Sequence, residues 1–300
     1  MTDILSPLSR RGLIGAGLGM GAGLLLPDGA LAAGRPRRGG RIRAASLSSS
    51  TADTLDPAKG ALSTDYIRHY MFYSGLTQLD GQLNPRPDLA ERIESADQIT
   101  WHIRLRKGVT FHDGANLTAQ DVVWSLLRHK NPATGSKMAQ IAEQFAQIKA
   151  TGKQDLVIRL TGPNADLPAI LAQSHFVILR AGTSDFRTAN GTGPYICAQF
   201  RPGVRTLGRR NPNFWKPGKP YLDEIELIGI PDETSRVNAL LSGDVHLILA
   251  VNPRSTKRIM ASPRHALMET QSGLHTNLIM RQDRLPTGNP HFVATMKYLF

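Results

Sequence analysis

Side chains able to catalyse a reaction or bind a metal occur in this sequence without the spacing that either chemistry requires. The nine histidines include no pair four residues apart and no H-E-x-x-H stretch, the pattern that binds zinc on one helix face. The single cysteine, Cys197, excludes a disulfide framework and any zinc site of paired thiolates. Stretches typical of serine nucleophiles (G-x-S-x-G and S-x-x-K) and of phosphate loops are also absent. We therefore predict no catalytic residue, no metal ligand and no cofactor.

Asp113 and Asp121 could be paired carboxylates and His102 a metal ligand, but local structure explains all three. Asp113 precedes a glycine in a turn, and Asp121 lies three residues after Thr118, which is the spacing of a helix N-cap. His102 falls on the polar side of an alternating strand pattern, which is typical of a surface histidine. These residues are therefore predicted to shape the chain rather than to act on a substrate.

The chain carries a net charge of +12, from 36 Lys and Arg residues against 24 Asp and Glu residues. In the N-terminal segment Arg10 and Arg11 balance Asp3 and Asp28, so the excess belongs to the rest of the chain. The cations are scattered, and aromatic residues make up only 6% of the sequence. This pattern favours a solvated surface that steers anionic ligands, and we predict no nucleic-acid partner.

Residues 1–32 have the organisation of a signal peptide. The stretch SRRGLI at 9–14 resembles a twin-arginine export motif, and a glycine-rich apolar run follows over 13–26. Small residues at 30–32 supply a cleavage point, and residues 33–40 form a basic linker. The G-x-G-x-x-A within the apolar run has no strand before it, so we expect no dinucleotide site. We predict a periplasmic protein, exported by the twin-arginine route, with no membrane-spanning segment.

The first half of the remaining chain predicts a mixture of strands and amphipathic helices. Strand patterns cover 41–47 and 99–106, the second with clean alternation of apolar and polar residues. A helix is predicted over 118–130, with Thr118 and Asp121 at its N-cap. A second helix is predicted over 138–148, because its apolar residues recur at helical spacing, and a strand follows at 156–160.

The second half changes to a β-α-β pattern. A strand at 224–230, a helix at 233–242 and a strand at 245–250 predict a parallel pair with a right-handed crossover. Further predicted elements are strands at 266–269 and 274–280 and a helix from residue 289 onward. The sequence ends within that apolar helix, so we expect a chain truncated at its C-terminus.

Several of these stretches, in their order along the chain, resemble the large solute-binding proteins of ABC importers, family 5, the group that binds dipeptides, oligopeptides and nickel. The most specific match is LRKGV at 105–109, followed by FHDG at 111–114, LTA at 117–119 and DVV at 121–123. The other matching stretches are TLDP at 54–57, YSGL at 73–76, GTGPY at 191–195, NPNFW at 211–215, PYLDEI at 220–225 and LLSGDV at 240–245.

The resemblance implies an α/β fold of the type II periplasmic-binding-protein class, with two lobes and an extra α+β subdomain. It places the first lobe at 41–58 and 181–272, the inserted subdomain at 59–180 and the start of the second lobe at 273–300. Most of the second lobe would then be missing from this chain. The glycines at 191 and 193 would allow close backbone approach where the chain returns to the first lobe.

The resemblance also implies a receptor and not an enzyme. A peptide or related small solute would enter a cleft, hinge closure would bury it, and a monomeric protein would deliver it to the transmembrane subunits of an ABC permease. Two alternatives stay open: an exported carrier of nickel, a metal complex or haem with the same fold, and a secreted hydrolase. The ligand is not identified by the sequence, and peptides, opines, a glutathione-like tripeptide, sugars and nickel all remain candidates.

For the ligand contacts we single out the polar loop after the first strand, whose alternative interpretation is an exposed serine-rich turn. We add His175 and Phe176, at the end of the inserted subdomain; the alternative for Phe176 is a position in the core. We also add Asn277, on the predicted strand that leads into the second lobe. The predicted ligand-binding residues are Ser48, Ser49, Ser50, Thr51, His175, Phe176 and Asn277.

Overall fold

A computed structural model describes residues 36–270, 281 and 283–299. The chain separates into a first unit, residues 1–37, and a second unit, residues 38–300, and every helix and strand given below lies in the second. The predicted signal peptide and the predicted strand at 274–280 lie outside the described residues. Within the described part of the chain, no helix has the length and apolar character needed to cross a membrane.

Helices and strands are interspersed along the chain. The strands are β1 (Arg41–Ser46), β2 (Thr77–Leu79), β3 (Pro85–Pro87), β4 (Ala90–Glu94), β5 (Thr100–Leu105), β6 (Phe145–Ala150), β7 (Asp155–Leu160), β8 (Tyr195–Arg201), β9 (Arg205–Arg210), β10 (Glu224–Gly229) and β11 (Leu247–Ile248). The helices are α1 (Ser63–Phe72), α2 (Ala119–Leu127), α3 (Ala139–Ala142), α4 (Leu167–Ile170), α5 (Glu233–Ser242), α6 (Pro253–Met260) and α7 (Pro290–Leu299).

Five strands form a mixed sheet in the order β11-β1-β10-β9-β8. β1 runs parallel to both of its neighbours, with Ser46 opposite Gly229 in β10 and Ala45 opposite Ile248 in β11. The predicted parallel arrangement of the β-α-β unit is therefore confirmed, with β1 inserted between its two strands. β8 and β9 complete the sheet as an antiparallel pair.

Four strands form an antiparallel sheet in the order β4-β5-β7-β6. On β5 the side chains of Trp101 and Ile103 are buried whereas His102 is exposed, as the alternating pattern predicts. α2 packs over this sheet and contributes Val122 and Leu126 to its core. The predicted N-cap of α2 is present, because the amide of Thr118 donates a hydrogen bond of 2.8 Å to the Asp121 carboxylate.

Two predicted elements are wrong. Residues 138–148 do not form one helix: α3 ends at Ala142 and β6 begins at Phe145. Phe145 and Ile148 are both buried although they are three residues apart on a strand, because the register of β6 against β7 shifts between Phe145 and Gln147. The bulge reproduces the spacing of a helix face. The other error is the strand predicted at 266–269, where the chain has no regular secondary structure.

α1 packs against the five-stranded sheet, although the sequence assigns its residues to the inserted subdomain. Its Met71 and Phe72 share a core with Ala44 of β1, Tyr195 of β8 and Leu227 of β10. α1 lies near the start of the predicted subdomain, 59–180, but it packs against strands of the predicted first lobe. The division into lobes remains a prediction.

Candidate functional site

The candidate site lies at the edge of the five-stranded sheet where its three parallel strands end. We call this the carboxyl edge: it consists of the loop after β1 (47–53), the loop after β10 (230–232) and the loop after β11 (249–252). The strand ends are aligned, since Ile230 donates its amide to Ser46 O and Leu249 donates its amide to Ala45 O. Open α/β sheets bind ligands outside the carboxyl ends of their strands.

The loop after β1 contains four of the predicted ligand residues. Ser48 Oγ lies 2.9 Å from Ser63 Oγ and 3.2 Å from Thr64 Oγ1, so it is tied to the first turn of α1. Ser50 Oγ accepts a hydrogen bond of 3.0 Å from the Ala52 amide. Ser49 is half-buried and its hydroxyl has no hydrogen bond among the described residues, and Thr51 is exposed. Ser49 and Thr51 therefore have hydroxyls available to a ligand.

Two glycines allow this loop to lie against its neighbours. A Cβ at Gly229, the last residue of β10, would lie 2.2 Å from Ser49 Cβ and 2.4 Å from Ser48 O. Gly203 has a φ of +73° in the turn between β8 and β9, and a Cβ there would lie 3.3 Å from the backbone carbon of Ser50. The absence of side chains at both positions brings the serine backbone onto the sheet.

A buried ion cluster fixes the other end of the loop. Arg68 of α1 binds Asp53 at 2.7 Å and Asp65 at 2.8 Å, and all three side chains are almost completely buried. The remaining Arg68 donor, Nε, reaches Thr206 Oγ1 at 2.8 Å. Asp53 in turn accepts amide hydrogen bonds from Ser50 and Gly203, both at 3.2 Å. The cluster thus connects the loop to α1 and β9.

Arg236 of α5 connects the other two loops of the carboxyl edge. Its side chain is buried, and its guanidinium donates to Ile230 O at 2.7 Å, Pro231 O at 3.2 Å and Ala250 O at 3.2 Å. Ala250 has a φ of +50°, and the hydrogen bond from Arg236 reaches the carbonyl of this strained residue. Every acceptor in the described hydrogen bonds of this guanidinium is a backbone carbonyl oxygen.

The sequence analysis missed both arginines. For Arg236 a signal exists, because it lies four residues before Leu240 and so shares the apolar face of α5. A charge on an apolar helix face predicts a buried partner, although not which one. Arg68 lies three residues after Asp65, which predicts a local ion pair, but Asp53 and Thr206 are distant in sequence.

His175 and Phe176 have no described hydrogen bond or ring contact with the loop after β1. His175 is buried with Nε2 3.0 Å from Gly60 O, and its ring meets the edge of Tyr66 at a centroid distance of 5.2 Å. Burial lowers the pKa of His175. Phe176 is fully buried between the rings of His129, at 4.8 Å, and Phe145, at 5.9 Å. The structure thus gives Phe176 the core position, which was its alternative interpretation. The seventh predicted residue, Asn277, lies outside the described residues.

The FHDG stretch forms a turn that joins two distant parts of the chain. His112 Nε2 lies 3.1 Å from Gly193 O, and burial lowers the pKa of this imidazole. Asp113 accepts hydrogen bonds from Ala115 and Asn190 and forms an ion pair with Arg180. Within residues 36–270, 281 and 283–299, no group of three or more His, Cys, Asp or Glu side chains is arranged to hold a metal ion.

Comparison with known proteins gives relatives of one kind. The oligopeptide-binding protein AppA of Bacillus subtilis is 27% identical over 227 residues, which are 71% of this chain and 41% of AppA. The glutathione-binding protein GsiB of Pectobacterium atrosepticum is 26% identical over 256 residues, 83% of this chain and 50% of GsiB. The periplasmic binding protein AgaA, solved with agropinic acid, is 26% identical with a TM-score of 0.69, covering 75% of this chain and 46% of AgaA.

Each of these relatives carries the name of a binding protein. The predicted α/β fold of the type II periplasmic-binding-protein class is confirmed, and the chain spans about half the length of the relatives that it matches. Residues 84–300 match the sequence family described as bacterial extracellular solute-binding proteins, family 5 middle. Because that match covers more than two thirds of the sequence, the chain belongs to the family 5 bacterial extracellular solute-binding proteins.

Proposed function

We propose that the whole protein is the periplasmic binding component of an ABC importer. It captures a small solute by closure of two lobes and delivers it to a membrane permease. The observation that carries this proposal is the carboxyl edge, where the serine loop 48–51 is held by α1, β9 and β10 beside two further strand ends. A fixed loop with free hydroxyls, on a sheet edge suited to ligands, supports a binding role.

The proposed ligand is a short peptide or a related amino-acid conjugate. The names of the relatives include oligopeptides, glutathione and agropinic acid. The net charge of +12 favours anionic solutes among these, because the protein field raises their concentration near the surface. Hydrogen bonds to the ligand backbone would provide most of the affinity, which suits tolerance of different side chains.

The four loop residues have different proposed roles. Ser48 positions the loop, since its hydroxyl is already bonded to Ser63 and Thr64. Ser49, Ser50 and Thr51 contact the ligand through hydroxyl and backbone groups. His175 and Phe176 are not part of this proposal, because both side chains are buried and neither has a described contact with the loop.

The test is native mass spectrometry of the full-length gene product purified from the periplasm, followed by titration calorimetry with the co-purified solute. We expect Ser49→Ala to weaken binding by about 2- to 10-fold, the loss of one hydrogen bond worth about 0.5–1.5 kcal/mol. Ser95→Ala is the matched control: it is another half-buried serine, bonded to Asp97 after β4, and it should leave affinity unchanged. Equal affinity of all three proteins would contradict the assignment of the loop.

The predicted alternative, a carrier of nickel or another metal complex, is tested with the same preparation. Elemental analysis of the purified protein should give no stoichiometric metal if the cargo is a peptide. One equivalent of nickel, retained through dialysis, would replace the peptide proposal with the metal one.

We further propose export by the twin-arginine route, on the basis of Arg10 and Arg11 ahead of the apolar run. Arg10→Lys combined with Arg11→Lys should retain the precursor in the cytoplasm. Arg37→Lys with Arg38→Lys, in the basic linker, is the matched control and should be exported normally. Periplasmic accumulation of the first double variant would contradict this route.

A further inference from the structure

A second concave region, apart from the carboxyl edge, is lined by the end of α1 with the segment after it, by the start of β8 and by the segment between β9 and β10. It is a cavity of about 440 Å³ between residues 70–88 and 194–222. Five of its fifteen lining residues are aromatic: Tyr70, Tyr73, Tyr195, Phe214 and Tyr221. No residue of the three carboxyl-edge loops lines it. Its volume lies within the range of pockets that hold small molecules.

A basic groove of about 670 Å³ adjoins this aromatic cavity. Gln78, Lys216 and Lys219 line both, so the two are continuous. The groove adds the cations Arg106 and Lys107 and a single acid, Glu91. An apolar chamber and a cationic groove thus meet along a shared boundary.

The groove and its boundary with the cavity keep a positive charge that the Lys216–Asp88 ion pair does not neutralise. Asp88, the acidic residue that lines the cavity, is buried and binds Lys216 Nζ at 2.6 Å. Burial raises the pKa of Asp88, and Lys216 opposes that shift. Lys219 and Lys107 are exposed, and neither has an ion-pair partner among the described residues. These two cations are therefore available to a bound anion.

Trp215 stabilises the groove between the cations. The guanidinium of Arg106 lies 5.3 Å from its ring centroid and Lys216 Nζ lies 4.8 Å from it. Arg106 also donates to Asp88 O at 2.7 Å, which connects the groove to the wall of the cavity. These contacts hold the positive charges at the boundary in defined positions.

We propose that the aromatic cavity and the basic groove together bind an amphipathic organic anion. Its apolar body, a ring system or a short chain, occupies the cavity, and its acid group lies in the adjoining groove, whose lining includes Lys107 and Lys219. Burial of the body against tyrosine and phenylalanine rings provides the affinity, and the unpaired cations select the anion over a neutral analogue. This site is separate from the one proposed for the transported solute.

The test uses 2-naphthoate as the anionic probe and 2-naphthalenemethanol as its neutral counterpart, in titration calorimetry on the full chain. We expect the anion to bind at least about 5-fold more tightly than the alcohol. Lys219→Ala with Lys107→Ala should remove that preference, because exposed ion pairs each contribute about 0.2–1 kcal/mol, and should leave binding of the alcohol unchanged. Tyr221→Ala should weaken both probes.

Lys149→Ala, which removes an exposed lysine of β6, is the matched control and should keep the preference for the anion. Ser49→Ala should also keep it, which separates this site from the carboxyl edge. The proposal is overturned if the anion and the alcohol bind equally, if neither shows saturable binding, or if Lys149→Ala has the effect of the double variant. Thermal melts verify that each variant is folded.

Discussion

At the scale of single residues, the position of the loop after β1 depends on the guanidinium of Arg68, which is almost completely buried. Arg68 is surrounded by Asp53, Asp65 and Thr206, and its partners also bind backbone amides of the loop. Removing the charge from such a cluster leaves two carboxylates buried without a cation. The cost therefore exceeds the value of any single hydrogen bond in it.

We predict that Arg68→Met lowers the free energy of unfolding by about 3–5 kcal/mol, the cost of breaking a buried ion pair. Arg92→Met is the matched control, because Arg92 pairs with Glu94 at 2.7 Å on the exposed face of β4 and should cost at most about 1 kcal/mol. Urea denaturation followed by circular dichroism measures both. Similar midpoints for the two variants would show that the buried cluster is not needed for stability.

The same residues show what a single sequence can predict about a site. Ser48–Thr51 follow a strand, and a loop after a buried strand is a reasonable position for ligand contacts; the structure places them at the carboxyl edge. His175 and Phe176 follow a polar pair, Gln173 and Ser174, yet both of their side chains are buried. The difference is set by Gly60, Phe145 and other residues distant in sequence, so no local pattern carries it.

At the scale of elements, prediction succeeded where local chemistry and packing agree. The N-cap and apolar face of α2 and the alternation in β5 are local signals, and both elements are present. The helix predicted at 138–148 failed because a β-bulge in β6 buries Phe145 and Ile148 on one face. The bulge is created by pairing with β7, which the residues of β6 alone do not show.

Three elements also bring buried imidazoles together: α1 with His69, the turn after α2 with His129, and the segment before β8 with His175. The rings of His69 and His175 lie 6.0 Å apart. Burial, with the neighbouring His175, lowers the pKa of His69 to about 3, and burial with Arg128 lowers that of His129 to about 4. Asp56 and Asp65 oppose these shifts without cancelling them.

We predict that acid weakens the fold through this histidine cluster. The imidazoles of His69 and His129 are neutral in the folded state at pH 5 and above, and their unfolded pKa is about 6.5, so the contribution of these two to stability is complete above pH 6.5. As the pH falls below 6.5 the unfolded state takes up protons that the folded state excludes, at about 1.4 kcal/mol per pH unit for each imidazole. The free energy of unfolding should thus be about 2 kcal/mol lower at pH 5 than at pH 7 for each one.

Urea denaturation at both pH values measures this difference. His69→Leu should reduce the pH dependence by the share of one imidazole, whereas His102→Gln, on the exposed face of β5, should leave it unchanged. A pH dependence that is the same in His69→Leu as in the unaltered protein would exclude the cluster as its source.

At the scale of the whole second unit, the chain passes twice between the five-stranded and the four-stranded sheet, and the two connecting segments contact each other. The amide of Gly193 donates a hydrogen bond of 3.0 Å to Phe72 O, at the end of α1. The amide of Ile178 donates one of 2.9 Å to Ser74 O, in the segment after α1. His112 of the FHDG turn also bonds to this crossing, through the carbonyl oxygens of Gly191 and Gly193. The stretches FHDG, YSGL and GTGPY, which carry the family resemblance, therefore meet at one place.

Where the GTGPY stretch contacts the end of α1, there is no room for a side chain at Gly193, so a larger residue there should destabilise the whole second unit. A Cβ at Gly193 would lie 2.4 Å from the Phe72 carbonyl carbon and 2.6 Å from the Tyr73 amide nitrogen, both of them backbone atoms that cannot rotate away. We expect Gly193→Ala to cost about 3 kcal/mol or more in free energy of unfolding, at the upper end of overpacking effects.

Gly81→Ala is the matched control, because an added Cβ in that exposed turn meets no atom within 4 Å. We expect it to be neutral or to stabilise the fold by less than about 1 kcal/mol, through reduced freedom of the unfolded chain. Thermal unfolding of both variants, each made with Trp124→Phe and Trp215→Phe, is followed by the fluorescence of Trp101 for the four-stranded sheet and by circular dichroism for all elements. If the crossing couples the sheets, Gly193→Ala lowers both transitions together; a shift in only one of them would mean that the two sheets unfold independently of this contact.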